Sequence, residues 1–172
     1  LSSAASDVYK RQVYPDRLDP KLGISPRALM KRVYESAVSY ARTFSTASES
    51  LLFMGATGLG KTLLSGCIAR AVADRGYSVC YVSAGKLFSD FETEKFRLKE
   101  DGALTGEYLQ TDLLIIDDLG TEMTTQFTVS ALYQIVNGRL LSGKPTIVST
   151  NLPDTELEAR YSAQIASRLL GA

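Results

Sequence analysis

Eight residues constrain this chain more than any others. Gly55-Ala56-Thr57-Gly58-Leu59-Gly60-Lys61-Thr62 stand between a short apolar run, Leu51 to Met54, and a helical pattern that starts at Lys61. The spacing is G-x-x-x-x-G-K-[ST], with a strand before it and a helix after it. Glycines let the backbone curl until successive N–H groups point inward, and the first turn of the helix adds its positive dipole end. Such a loop cradles phosphate oxygens. Lys61 is expected to reach the β and γ phosphates of ATP, and the Thr62 hydroxyl to ligate Mg2+.

The rest of the chain repeats the same unit. Ser25-Pro26 puts a cap residue before a proline suited to a first helical turn, and Leu29, Val33, Ala37, Tyr40 and Phe44 follow at three to four residues. After the loop, Lys61 to Asp74 is helical, with Leu64, Ile68, Ala71 and Val72 on one face and Arg75-Gly76 closing it. Tyr77 to Val82 is β-rich, Ala84 to Phe96 reads as a helix, and Arg97 to Gly106 as a polar loop. Leu113 to Ile116 has the continuous apolar character of a parallel strand buried on both faces. Thr124 to Leu141 is helical, Gly143-Lys144-Pro145 is a turn, and Thr146 to Ser149 is another buried strand. Strand and helix alternate, so the expected fold is α/β, a parallel sheet with helices on both sides.

Two further strand ends carry polar groups. Leu113 to Ile116 runs directly into Asp117-Asp118, placing two carboxylates where ligands of parallel sheets collect. This is a Walker B pattern: Asp117 is expected to hold Mg2+ through its water shell, and Asp118 to orient or deprotonate an attacking water. Aspartate is one methylene shorter than the glutamate found at this second position in many similar motifs, so turnover is expected to be slow or to draw on nearby Glu122. Thr146 to Ser149 runs into Thr150-Asn151, whose amide either contacts the attacking water and γ-phosphate or begins the turn with Pro153. Arg168, on a short helix, cannot easily reach its own phosphate loop. It is either a surface cation near a helix end or an arginine offered to a neighbouring subunit.

Composition narrows the remaining classes. The 172 residues are 45% hydrophobic, enough for one globular domain with a core. Nineteen basic residues balance nineteen acidic ones, so contact with nucleic acid must be local rather than spread over a basic face. The best local candidate is Lys86 to Lys99, where Lys95, Phe96, Arg97 and Lys99 mix cations with an aromatic, although Asp90, Glu92, Glu94 and Glu100 dilute the field. Histidine is absent, and Cys67 and Cys80 lie far apart in apolar runs, which excludes a zinc cluster and a histidine-based triad. No run of about 18 apolar residues and no charged-then-apolar leader occurs, so a cytoplasmic protein without a membrane span is expected.

At the start, Ser2 to Gln12 read SSAASDVYKRQ, which looks like the frame translation of a sequencing-library adapter. Residues 1–12 are therefore set aside from fold reasoning as adapter-derived. Residues 13–50 form an expected helical lead-in and 51–172 the core domain. An apolar helical pattern runs up to Leu170-Gly171-Ala172, so the reading frame is expected to be cut at both ends.

Taken together, GATGLGKT at 55–62, LLIIDDLGTE at 113–122, STN at 149–151 and RYSAQIASRL at 160–169 resemble the AAA+ ATPases of the bacterial helicase-loader group, the DnaC/DnaI type, and the IstB transposition helpers. The resemblance covers roughly Leu51 to Leu170. It implies an AAA+ P-loop NTPase of the ASCE type, lacking here the lid domain with its second sensor arginine and any N-terminal helicase-binding or zinc module. It implies that Asn151 is the sensor 1 residue and Arg168, ahead of Arg160, the arginine finger acting in trans within a self-assembly. The activity implied is ATP hydrolysis by a loader that binds a replicative ring helicase and single-stranded DNA. An IstB-type helper that delivers a transposase is the alternative. A small-molecule kinase fits less well, since no arginine-rich lid segment follows the third strand, and a non-hydrolysing adaptor stays open through Asp118.

Overall fold

The computed structural model describes residues 18–21, 23–97 and 103–171. The adapter-like residues 1–12, and Lys99 of the candidate nucleic-acid segment, lie outside the described residues. In chain order the elements are α1 (Pro26–Thr43), β1 (Leu51–Met54), α2 (Lys61–Asp74), β2 (Val79–Ser83), α3 (Ala84–Arg97), α4 (Ala103–Gln110), β3 (Leu113–Leu119), α5 (Gln126–Leu141), β4 (Thr146–Thr150), α6 (Asp154–Tyr161) and α7 (Ala163–Leu170). The four strands form one parallel sheet in the order β1-β4-β3-β2. None of the described helices is long and apolar enough to cross a membrane.

Alternation along the central strands divides the core into two layers. Leu113 and Ile115 of β3, with Ile147 of β4, face α1 and α2 and pack with Met30, Ala37, Leu64, Ile68 and Phe44. Leu114, Ile116 and Val148 face the other way, against Leu87, Leu132, Ile135, Leu157 and Ile165 of α3, α5, α6 and α7. Because both faces are covered, Leu113 to Ile116 are all fully buried, which explains the unbroken apolar run. The N-terminal helix starts where its sequence indicated: the Ser25 hydroxyl accepts the Ala28 N–H and Pro26 occupies the first turn. It packs onto α2 and so belongs to the same core.

One expectation is corrected. The polar stretch Arg97 to Gly106 was expected to be a loop, but a helix begins at Ala103. The helix is held by tertiary contacts that local propensity does not report. The Glu94 carboxylate accepts the Thr105 N–H at 3.1 Å and the Thr105 hydroxyl at 2.6 Å, and the Tyr108 hydroxyl donates to buried Asp90, which also pairs with Lys86.

The chain end of α4 rests on Arg139 of α5, which is 1% exposed. Its guanidinium donates to the carbonyls of Tyr108, Leu109 and Thr111, to those of Asp112 and Pro145, and to the Thr146 hydroxyl. Burial lowers its pKa to about 10. This one side chain ties the beginnings of β3 and β4 to α4, and so fixes the strands whose far ends carry the polar residues.

Candidate functional site

Strands β1, β4 and β3 lie side by side and all point the same way, so their C-terminal ends bring the glycine loop, Asn151 and the two aspartates to one edge of the sheet. The loop from Gly55 to Gly60 has glycines at φ of 148°, 84° and 82° (Gly55, Gly58, Gly60), conformations that only glycine adopts without strain. A Cβ at Gly55 would meet Leu59 at 3.1 Å. Gly60 is the cap of α2, whose first residues are Lys61 and Thr62. Backbone N–H groups at that helix start and the inward loop suit an anion.

The Lys61 ammonium folds back over the loop, donating to the carbonyls of Gly55 at 2.5 Å and Ala56 at 2.8 Å. Partial burial lowers its pKa, while the fields of Asp118 and Asp117 act in the opposite sense. Thr62 Oγ1 donates to Asp117 Oδ1 at 3.2 Å, joining the helix start to the end of β3. Asn151 Nδ2 lies 3.1 Å from Thr57 Oγ1 and 3.5 Å from Asp118 Oδ1, so its amide stands between the loop and the second acid. The structure thus brings together the whole of Gly55 to Thr62, Asp117, Asp118 and Asn151.

Two residues that sequence reasoning missed complete the surroundings of Asp117. The Tyr81 hydroxyl on β2 donates to Asp117 Oδ2 at 2.7 Å, and the Ser149 hydroxyl on β4 donates to Asp117 Oδ1. Burial and the bond to Asp117 raise the Tyr81 pKa well above the usual phenol value. The pairing registers, Tyr81 with Ile115 and Ser83 with Asp117, could have pointed to Tyr81 only if the strand neighbours had been known.

Other candidates lie elsewhere. Glu122 accepts the Gly120 N–H and the Tyr161 hydroxyl, which ties its carboxylate to the turn after β3 and to α6. Arg168 donates to Asn137 Oδ1 at 3.0 Å and to the Gln164 carbonyl at 3.1 Å, and its guanidinium lies over the Tyr133 ring. Those partners belong to α5 and α7, not to the phosphate loop. Arg160 donates to the Gly120 carbonyl at 2.8 Å. On α3, Lys95 lies over the Phe127 ring at 5.1 Å and Phe96 is 70% exposed.

The donors fit Mg2+ as a nucleotide would carry it. Thr62 and Asp117 supply hard oxygens next to the anion cradle, and among the described residues no group of three His, Cys, Asp or Glu could hold a metal on protein ligands alone. Mg2+ is characteristically bound by one or two carboxylate or hydroxyl oxygens plus phosphates and water, which is what this arrangement offers.

A parallel sheet with a G-x-x-x-x-G-K-T loop at one strand end, an Asp pair at a second and an Asn at a third defines a P-loop NTPase. Residues 29–170 match the family of IstB-like ATP binding proteins, and the chain belongs to that family. The chain is 30% identical over 105 residues to Rv3427c of Mycobacterium tuberculosis, named as an ATP-binding protein in an insertion sequence, covering 61% of this chain and 41% of that protein. It is 27% identical over 135 residues to the replicative helicase loader DnaC of Escherichia coli K12, covering 77% of this chain and 55% of DnaC. The chain thus spans about half the length of the curated relatives it matches. Among solved structures, a DnaC helicase loader superposes with a TM-score of 0.74 at 19% identity over 99% of this chain and 96% of that one. AMPPCP-bound DnaA from Aquifex aeolicus gives 0.73 at 24% identity over 91% and 50%. The fold is that of an AAA+ P-loop NTPase, and the likeness to the DnaC and IstB groups read from the motifs is borne out.

Proposed function

We propose that the chain is the ATP-hydrolysing part of an AAA+ protein that loads a replicative ring helicase during DNA replication. The observation that carries the reading is the meeting of Lys61, Thr62, Asp117, Asp118 and Asn151 at one strand-end edge, linked by Thr62 to Asp117 and by Asn151 to both Thr57 and Asp118. The loop N–H groups and Lys61 hold the phosphates; the ammonium exchanges the Gly55 and Ala56 carbonyls for phosphate oxygens. Thr62 and Asp117 would hold Mg2+, which would supply charge neutralisation at the phosphates. Asp118 accepts the proton of the attacking water and Asn151 orients that water, so that ATP and water yield ADP and phosphate. Hydrolysis is slow and needs assembly, because Arg168 supplies the transition-state cation to a neighbouring subunit after leaving Asn137 and Tyr133.

The helicase partner is supported by the 27% identity to DnaC across 77% of this chain. Single-stranded DNA, the ligand named in a structure of DnaA whose fold is similar, would run along α3 past Lys95 and Phe96. A second reading, an IstB-type helper that delivers a transposase to target DNA, is favoured by the family match and by the insertion-sequence relative.

The two readings separate by partner. Hydrolysis is measured in single turnover with single-stranded DNA, then with the ring helicase or the transposase of the source organism. Stimulation or complex formation with the helicase alone supports the loader, and with the transposase alone supports the helper. No hydrolysis under any condition, with ATP bound, would leave a nucleotide-dependent adaptor.

A further inference from the structure

The two strand-end carboxylates are next to each other in sequence, and in a regular strand they would face opposite sides of the sheet. The pairing of β3 with β4 is not regular there. Ile116 pairs with Val148 and Leu119 with Thr150, so Asp117 and Asp118 together stand opposite Ser149 alone. That two-against-one count is a β-bulge, and Asp118 takes the turn in it with φ of +62°. A non-glycine residue in that region is strained and persists where its surroundings hold it.

Ser149 supplies the hold. Its side chain is 1% exposed, and its one hydroxyl is used in both directions. The Oγ proton goes to Asp117 Oδ1, while the oxygen accepts the Asp118 N–H at 2.9 Å. One side chain therefore touches the carboxylate of the first acid and the backbone of the second. It also sits two residues before Asn151, whose amide reaches the Asp118 carboxylate.

We propose that Ser149 is a positioning residue for both acids, orienting the Asp117 carboxylate with its proton and locking the bulge that aims Asp118 with its lone pair. This rests on the reading of those acids as the metal-holding and water-activating groups. An alanine here would leave Asp117 to Thr62 and Tyr81, and Asp118 free to relax out of the left-handed region. A serine opposite an acid pair thus links metal placement to water placement through one side chain.

The test compares the parent with Ser149→Ala, Ser149→Cys and Tyr81→Phe in the full chain. Residue-resolved amide hydrogen exchange reads the bulge without any nucleotide, and single-turnover hydrolysis with ATP affinity reads the chemistry. In Ser149→Ala the Asp118 amide is expected to exchange about tenfold faster, the loss of one ordinary hydrogen bond. In Tyr81→Phe, which removes contacts to Asp117 and to the Thr62 carbonyl but none to Asp118, that amide keeps its parent rate. The hydrolysis rate of Ser149→Ala falls about tenfold or more while its ATP affinity stays within about twofold, since the phosphate loop is untouched. Ser149→Cys, with a weak sulfur donor in nearly the same volume, moves in the same direction and serves if alanine impairs folding. Parent-like exchange at Asp118 in both Ser149 variants overturns the proposal, as does an unchanged hydrolysis rate beside an active parent. A parent that binds but does not hydrolyse ATP defeats the functional reading instead, and the exchange rates then decide the structural role of Ser149 on their own.

Discussion

Replacing Arg139 is expected to be among the most damaging single changes in the fold. Its guanidinium serves six acceptors, four of them at 2.6 to 2.9 Å: the Pro145, Tyr108 and Thr111 carbonyls and the Thr146 hydroxyl. In Arg139→Ala those four lose a charged donor in a dry site, at about 1–3 kcal/mol each. Release of a buried guanidinium from its desolvation offsets several kcal/mol of that sum. The net loss is then about 3–5 kcal/mol, a large share of the 5–15 kcal/mol typical of a domain. Arg139→Lys keeps the charge but presents a single point in place of a planar fork, so it restores only part of the loss. Urea denaturation followed by circular dichroism measures both. A loss below about 1 kcal/mol in Arg139→Ala would mean that water replaces the guanidinium at those carbonyls, and that the two strand starts do not depend on it.

Three other outcomes are expected. Gly120 has φ of +103°, and a Cβ there would stand 2.6 Å from Leu152 Cδ1, so Gly120→Ala should cost about 2–4 kcal/mol and lower the melting temperature measurably. The Ser78 N–H bound to Asp112 holds that carboxyl below its usual range, helped by Lys144 and Arg139. A depressed folded-state pKa gives stability that is present above the unfolded pKa and disappears as pH falls through the folded one. The stability gap between the parent and Asp112→Asn should therefore be full near neutral pH and close below about pH 4, as denaturant melts at a series of pH values would register. Arg168→Ala should keep ATP affinity within a few fold and lower turnover by about three orders of magnitude. Mixing it with Lys61→Ala subunits should recover activity, and co-assembled mixtures as inactive as either parent variant would return Arg168 to its role against Asn137 and Tyr133.

Much of the site was legible because it is built from local motifs at strand ends. The glycine loop announces its own backbone, and the apolar run before Asp117 announces a strand covered on both faces. What was not legible depends on neighbours across the sheet. Tyr81 and Ser149 meet Asp117 only because β2 and β4 flank β3, an order that no window of sequence states. The bulge at Asp118 was equally hidden, since an Asp-Asp pair reads the same in a regular strand. The helix at Ala103–Gln110 escaped notice for a similar reason: Glu94 and Asp90 on α3 hold it from outside. In Glu122 a plausible acid near the right motif proved to be occupied by Tyr161 and Gly120, contacts set by the packing of α6.

The loop at 55–62 and the acids beside it are proposed to form a Mg·ATP site. Titrating the parent and Lys61→Ala with a fluorescent ATP analogue in the presence of Mg2+ tests it most directly. Loss of charge-assisted bonds to phosphate, about 3 kcal/mol, predicts affinity at least about a hundredfold weaker for the variant, with the parent saturating at one nucleotide per chain. Equal affinity for parent and variant would contradict the account.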